Sequence, residues 1–183
     1  MKLDYTKIIP RRYHDVSYEN DVTDVVKGVV KEQIQKRDGL YIRGDVGVGK
    51  THLACALVKK FIEEGLDVRF YNTSDFLERL RDEFKNGVIT DESSEGLFRD
   101  TMNYKGILVL DDIGTEKVTD WVNERLYLII NKRYEDMLPT IFTSNCDMET
   151  FSARLGDRFS SRVKQMTRII NLVHSDRRLT PKL

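Results

Sequence analysis

The stretch Gly44-Asp45-Val46-Gly47-Val48-Gly49-Lys50-Thr51 decides the fold. It fits the pattern G-x-x-x-x-G-K-S/T, a loop between a strand and a helix that wraps around phosphate groups. Its glycines let several backbone N–H groups point at one anion, and the helix that follows adds partial positive charge. Lys50 is placed to reach the β- and γ-phosphates, and the Thr51 hydroxyl to bind Mg²⁺. The pattern therefore predicts a site for a nucleoside triphosphate. The site extends to His52, for which packing inside the helix is the alternative.

Both flanks of this loop have the pattern that such a site needs. Residues 40–43 are a short β-prone run, and residues 50–64 carry apolar side chains at helical spacing before Gly65. The other predicted strands span residues 68–71, 107–110, 140–143 and 168–173. The other predicted helices span residues 22–36, 74–85 with Ser74 as cap, a short segment after a loop at 86–95, residues 119–137, and residues 148–164 in one or two pieces around Gly156.

Strands alternate with helices along the chain, and this order predicts right-handed crossovers in a parallel sheet. The predicted fold class is therefore α/β, a three-layer P-loop NTPase with a five-stranded parallel sheet. Residues 1–21 are expected to form an N-terminal arm, and residues 22–183 a single ATPase domain. The length of 183 residues is within the range for one domain.

Composition excludes several other classes of protein. Apolar residues make up 40% and charged residues 33% of the chain, a mixture that excludes intrinsic disorder and a membrane protein. There is no secretory signal, no apolar run of about 20 residues, and only two cysteines, so we expect a cytoplasmic protein without a membrane partner. The formal net charge is zero, but residues 151–183 hold eight basic and two acidic residues, a local charge of 8 − 2 = +6. A local basic surface remains possible, whereas a uniformly basic nucleic-acid binder is excluded.

Two further elements complete the predicted phosphate site. Asp111 and Asp112 directly follow the apolar strand 107–110, and Asn145 follows the strand 140–143. Because the carboxyl ends of parallel strands meet at one edge of a sheet, these side chains should converge on the phosphate loop. Asp111 is the predicted Mg²⁺ ligand beside Thr51. Asp112 is predicted to orient or activate the attacking water, and Asn145 to contact the γ-phosphate or that water.

Together these elements resemble an AAA+ ATPase, and more narrowly the DnaC/IstB-type group of bacterial helicase loaders. Beyond the phosphate loop, the resemblance is carried by residues 10–20, Leu110-Asp111-Asp112-Ile113-Gly114-Thr115-Glu116, residues 143–145 and Leu155-Gly156-Asp157-Arg158-Phe159-Ser160-Ser161-Arg162-Val163. It implies a Mg²⁺-dependent ATPase that assembles into a nucleotide-dependent spiral oligomer, with ATP or ADP between neighbouring subunits. It also implies a replicative helicase as partner and the binding of single-stranded DNA in replication initiation.

The resemblance further implies two arginines near the nucleotide. Arg162 matches the position that reaches the γ-phosphate of the neighbouring subunit, with Arg158 one turn earlier as the alternative. Arg177 matches a second arginine, which reads the nucleotide of its own subunit. A guanidinium suits this role because it is planar and always charged. For both residues, a surface cation without a role in the site is the alternative.

The chain departs from the family pattern in three respects. Asp112 stands where most AAA+ enzymes have glutamate, and its shorter side chain predicts slow hydrolysis. About ten residues follow the fifth predicted strand, which leaves no room for a helical lid domain. Only nine residues precede the matching region at Pro10, where loaders of this family carry an N-terminal helicase-binding domain. We therefore expect either an isolated ATPase core or a fragment of a longer loader.

The sequence leaves the DNA contacts and the exact function open. Lys117 and Trp121 offer a cation and an aromatic ring, the two features that bind single strands, although Trp121 could equally pack within its helix. Tyr13 and Val16 are the candidates to contact the adenine base. An IstB-type transposition helper that acts on duplex DNA would share nearly the same motifs. A small-molecule kinase is the second alternative, and Asn145 argues against it.

Overall fold

The computed structural model describes residues 4–36, 38–85, 96–115 and 118–173. Its five strands are β1 (Gly39–Gly44), β2 (Val68–Asn72), β3 (Ile107–Asp111), β4 (Thr140–Ser144) and β5 (Thr167–Leu172). Its helices are α1 (Tyr18–Asp21), α2 (Asp24–Lys36), α3 (Lys50–Glu63), α4 (Thr73–Lys85), α5 (Leu97–Asn103), α6 (Asp120–Glu135), α7 (Met148–Leu155) and α8 (Asp157–Met166). Two short 3₁₀ turns, Tyr5–Lys7 and Arg11–Tyr13, precede them.

The strands form one sheet in the order β2-β3-β4-β1-β5, and every neighbouring pair is parallel. All five residues of β3 and of β4 are buried, as the continuous apolar run at 107–110 predicts for a central strand. The phosphate loop follows β1, and the acidic pair lies at the end of β3, with Asp111 as its last residue, at the same edge of the sheet. The predicted five-stranded parallel sheet is therefore confirmed.

Helices cover both faces of this sheet, which confirms the three-layer architecture. One face packs against α4 to α8, with fully buried side chains such as Leu126, Phe151 and Val163. The other face packs against α2, α3 and the N-terminal residues, where Ile9 and Val16 are 3% and 5% exposed. Burying an apolar side chain of this size contributes about 1.5–3 kcal/mol. The segment predicted as an arm is therefore part of this core. No helix within the described ranges is long and apolar enough to cross a membrane.

The structure corrects two local predictions, and it decides a third that allowed either one or two helices. The helix expected at 22–36 begins at Asp24, because residues 18–21 form a separate helix whose N-cap is Ser17. Ser74 does not cap α4: the Asn72 side-chain oxygen accepts hydrogen bonds from the backbone N–H groups of residues 74 and 75, at 3.1 and 3.3 Å. The helical region at 148–164 is two helices, α7 and α8, with Gly156 between them.

A buried arginine ties α6 to the edge of the sheet opposite the phosphate loop. Arg133 is fully buried and donates hydrogen bonds to the Thr140 hydroxyl at 2.9 Å and to the Tyr104 carbonyl oxygen at 2.6 Å. It also donates to the carbonyl oxygens of Gly106 and Pro139, both at 2.9 Å. Burial lowers the pKa of Arg133 to about 10. These bonds hold the amino ends of β3 and β4 together.

Candidate nucleotide site

A cavity of about 480 Å³ lies at the carboxyl edge of the sheet, where α3 begins. Three parts of the chain line it. The N-terminal segment contributes Arg12, Tyr13, Asp15, Val16 and Asp21; the phosphate loop and α3 contribute residues 46, 47 and 49–52; and the strand ends contribute Asp112 and Asn145. The fold thus brings eight of the sixteen predicted site residues to one cavity, together with both candidates for contacting the base.

The phosphate loop wraps around the amino end of α3. Gly49 precedes the helix with φ 103°, a left-handed value that residues with side chains rarely adopt. A Cβ atom on Gly44 would come within 2.5 Å of the Leu172 carbonyl oxygen, so no larger residue fits there. Lys50 is 5% exposed, and its Nζ donates to the carbonyl oxygens of Gly44 and Asp45 at 2.9 Å each. The loop therefore presents a helix N-terminus and a lysine together, an arrangement that attracts phosphate.

Two oxygen-bearing side chains meet beside the loop. The Thr51 hydroxyl donates to Asp111 Oδ2 at 3.1 Å. Mg²⁺ prefers hard oxygen ligands of this kind, in combination with phosphate oxygens and water. Burial raises the pKa of Asp111 to about 6, although hydrogen bonds from Thr143 and Thr51 and the charge of Lys50 lower it. A buried carboxyl group of this kind is stabilised in its charged form by a cation, so the residues present fit Mg²⁺ bound with a triphosphate.

Thr143, which belongs to the motif at residues 143–145 but had no predicted role, contacts both aspartates. It lies near the end of β4, is fully buried, and donates its hydroxyl proton to Asp111 Oδ1 at 2.6 Å. The same hydroxyl accepts a hydrogen bond from the Asp112 backbone N–H at 2.8 Å. Asp112 itself has φ 58°, a left-handed conformation. The available signal was its position near the end of β4, directly before Ser144 and Asn145.

The N-terminal wall of the cavity is fastened to α3 by a second lysine. Lys59 Nζ donates to the carbonyl oxygens of His14 and Val16 at 2.7 Å each. The same ammonium group lies 4.7 Å from the centroid of the Tyr5 ring. These contacts hold residues 14–16 against the helix that begins at the phosphate loop. Sequence reasoning missed Lys59, because a lysine on a helix surface carries no motif.

His52 connects α3 to α1 at the same wall. Its Nε2 lies 3.2 Å from Asp21 Oδ2, and this carboxylate oxygen also accepts from the Ser17 backbone N–H at 2.8 Å. The His52 ring meets Tyr13 edge-on, with 6.3 Å between ring centroids. His52 therefore both packs against neighbouring residues and lines the cavity, which combines the two alternatives for this residue.

The remaining predicted site residues lie away from the cavity or outside the described residues. Arg162 on α8 donates from Nε to Asn131 Oδ1 at 3.0 Å, and its guanidinium lies 4.5 Å from the centroid of the Tyr134 ring. Trp121 is half-buried and packs edge-on against Phe84 at 5.7 Å, beneath the guanidinium of Arg81 at 5.5 Å. Trp121 therefore packs within the domain, and its contact with single-stranded DNA stays a prediction. Lys117 and Arg177 lie outside the described residues.

Comparison with known proteins places the chain in an ATP-binding family. A family described as IstB-like ATP binding protein matches residues 16–174. The replicative helicase loader DnaC of Escherichia coli (strain K12) is 27% identical over 138 residues, which are 73% of this chain and 55% of that protein. The replicative helicase loader DnaI of Bacillus subtilis (strain 168) is 30% identical over 125 residues, 68% of this chain and 38% of that protein. The chain thus spans about half the length of DnaC and two fifths of DnaI.

Solved structures agree with this placement. A crystal structure of the DnaC helicase loader superposes with a TM-score of 0.76 at 26% identity, covering 90% of this chain and 100% of that chain. The DnaA protein from Aquifex aeolicus, solved with bound AMPPCP, superposes with a TM-score of 0.73 at 22% identity, covering 90% of this chain and 51% of that chain. The DnaA likeness shows a shared fold. The predicted resemblance to an AAA+ ATPase of the DnaC/IstB type is confirmed.

Proposed function

The chain belongs to the IstB-like ATP binding protein family, and from that premise we propose that it is the ATPase core of a replicative helicase loader. In this proposal it binds Mg²⁺ and ATP, hydrolyses the ATP slowly, and assembles on single-stranded DNA with nucleotide between neighbouring copies. The observation that carries the proposal is the single cavity shared by the phosphate loop, Asp112 and Asn145. The similarity to two proteins named as helicase loaders supports the choice of partner.

In the proposed complex, each part of the cavity has one task. The loop N–H groups and Lys50 bind the phosphates, and Thr51 and Asp111 would hold Mg²⁺, which supplies positive charge against the phosphate oxygens. Tyr13 and Val16 contact the base from the N-terminal wall. The bonds from Lys59 support this assignment, since they hold that wall in place.

Slow hydrolysis is proposed from the identity and conformation of Asp112. Its carboxyl group lines the cavity, where it can orient the attacking water and accept its proton. It is one methylene shorter than the glutamate of most AAA+ enzymes, so it reaches less far towards that water. Its left-handed backbone, φ 58°, favours aspartate over longer side chains. Such a site suits a nucleotide switch better than a motor.

We further propose that Arg162 acts in trans on the nucleotide of a neighbouring copy. Within its own chain the Arg162 side chain is held in place, because its Nε donates a hydrogen bond to Asn131 and its guanidinium lies over the Tyr134 ring. In this proposal the two terminal nitrogens bind a phosphate of the neighbouring copy, in the fork geometry that suits phosphate. Arg158, the alternative, is exposed.

A fluorescence anisotropy experiment with labelled single-stranded DNA tests the proposal. The full chain is titrated at one stated salt concentration with a non-hydrolysable ATP analogue, with ADP, and with unlabelled duplex as competitor. The proposal predicts binding that requires the ATP analogue and resists the duplex. Displacement by duplex would instead support the alternative function, an IstB-type transposition helper that acts on duplex DNA. Absence of nucleotide-dependent DNA binding would contradict both.

A further inference from the structure

We propose that Thr143 is a positioning residue for the Mg²⁺ ligand and for the water-orienting residue of this site, an inference that rests on the proposed ATPase function. The residue touches neither the cavity nor the phosphate loop directly. It would act through Asp111 and Asp112, whose orientation it sets from the neighbouring strand.

The hydroxyl of Thr143 makes two hydrogen bonds, one with each aspartate. It has one proton, which it donates to Asp111 Oδ1 at 2.6 Å, so a lone pair remains for the Asp112 N–H at 2.8 Å. The other carboxylate oxygen of Asp111 accepts from Thr51 at 3.1 Å. The carboxylate is therefore held between two hydroxyls, one from α3 and one from β4. These two bonds fix the orientation of the carboxylate that would hold Mg²⁺.

The backbone of Thr143 adds a third bond to the same segment. Its carbonyl oxygen accepts from the Ile113 N–H at 2.9 Å. Hydrogen bonds at both residues 112 and 113 hold the chain in the turn that gives Asp112 φ 58°, and this turn directs the Asp112 side chain to the cavity. Thr143 is itself rigid, because its strand lies between β3 and β1 and pairs with Ile42.

Replacement of the hydroxyl by a methyl group should release both aspartates at once. In Thr143→Val the side chain keeps its volume, but Asp111 Oδ1 loses its donor and the Asp112 N–H loses its acceptor. Loss of an outer partner of a metal ligand typically weakens metal binding about 10–100-fold. Thr143→Ser keeps the hydroxyl and loses only a methyl group, so it should rescue the function.

The test measures how nucleotide binding depends on Mg²⁺. The full chain and its variants are titrated with a fluorescent ATP analogue over a range of Mg²⁺ concentrations, and melting without Mg²⁺ and nucleotide reports the fold. We expect Thr143→Val to need about tenfold more Mg²⁺ for half-maximal binding, and Thr143→Ser to match the wild type.

Thr140→Val is the matched control on the same strand. Thr140 is also fully buried, but its hydroxyl accepts from Arg133 at the opposite end of β4. The Thr140→Val variant should melt at a lower temperature than the wild type, and its nucleotide binding should depend on Mg²⁺ as in the wild type.

Three results would overturn the inference: an unchanged Mg²⁺ dependence in Thr143→Val, an equal loss in Thr143→Ser, or an equal loss in Thr140→Val. If Thr143→Val does not fold, Thr143→Ser becomes the deciding variant. Because it keeps the hydroxyl, a tenfold higher Mg²⁺ requirement for nucleotide binding in this variant would contradict a role for the hydroxyl. A wild type without Mg²⁺-dependent nucleotide binding would refute the proposed function itself.

Discussion

Two lysines of α3 hold the two ends of the nucleotide cavity in the same chemical way. At the phosphate end, Lys50 donates to two carbonyl oxygens that lie six and five residues away in the sequence. At the N-terminal wall, Lys59 donates to two carbonyl oxygens that lie 45 and 43 residues away. The phosphate end is thus built from local sequence, whereas the wall that we assign to the base depends on tertiary folding. A substitution at one end of the cavity should therefore weaken binding at that end and leave the other end unchanged.

The largest effect is expected from breaking the phosphate end. Lys50→Met removes the only charged donor that the loop offers to the β- and γ-phosphates, and we expect nucleotide affinity to fall on the order of 100-fold. Binding of a fluorescent ATP analogue and of tripolyphosphate should fall together. Lys60→Met is the matched control, because Lys60 on the same helix pairs with Glu19 and Glu64. A Lys50→Met chain that binds tripolyphosphate like the wild type would contradict the assignment.

A second prediction concerns the buried charge that distinguishes the phosphate end. Burial raises the pKa of Asp111 from 3.8 to about 6 in the folded chain. Between these values the folded state holds a proton that the unfolded state lacks, so stability falls as pH rises from about 4 to about 6 and stays lower above that. The loss should be on the order of 3 kcal/mol. Denaturant unfolding without Mg²⁺ measures it, and Asp111→Asn should abolish this part of the profile. If stability changed with pH in the same way in the wild type and in Asp111→Asn, the assignment of this loss to Asp111 would be wrong.

The third prediction concerns a substitution that loosens the N-terminal wall, which we assign to the base, and leaves the phosphate end intact. Lys59→Met removes both bonds that hold residues 14 and 16, so the wall should loosen and ATP affinity should fall about tenfold. Tripolyphosphate, which has no base, should bind as well as to the wild type, and preference for ATP over GTP should weaken. Equal losses for ATP and tripolyphosphate would mean that Lys59 supports the whole domain and does not act on one end.

The smallest effect is expected from Asp112→Glu, which alters hydrolysis without altering binding at either end. The longer side chain reaches further towards the attacking water, while its left-handed backbone offsets part of that gain. We expect turnover to rise about threefold in a steady-state phosphate-release assay, with unchanged nucleotide affinity. Turnover equal to or below that of the wild type would refute the explanation of slow hydrolysis.

The same contrast explains which parts of the molecule the sequence could predict. The phosphate loop, the apolar run of β3 and the acidic pair after it depend on neighbours within a few residues, and each was found by pattern. The parallel order of the strands then brought Asp112 and Asn145 to the loop, as expected for strand ends at one sheet edge.

Contacts between distant residues were the ones that pattern reasoning missed. Lys59 and Thr143 act through partners 45 and 32 residues away, which no local spacing reveals. The cap of α4 was assigned to Ser74 because serine is a common cap, but Asn72 lies at the end of β2 and reaches the same N–H groups. Arg162 was expected near phosphate, and its bond to Asn131 on α6 appears only in the folded chain.

A site shared between neighbouring copies is tested most directly by mixing two inactive variants. Lys50→Met lacks nucleotide binding but supplies Arg162, and Arg162→Ala binds nucleotide but lacks the arginine that acts in trans. We predict that each variant alone hydrolyses little ATP, and that an equal mixture regains activity at about a quarter of its interfaces. A Lys50→Met chain that also carries Arg162→Ala is the control, and it should restore nothing. A mixture that remains as inactive as its parents would contradict the shared site.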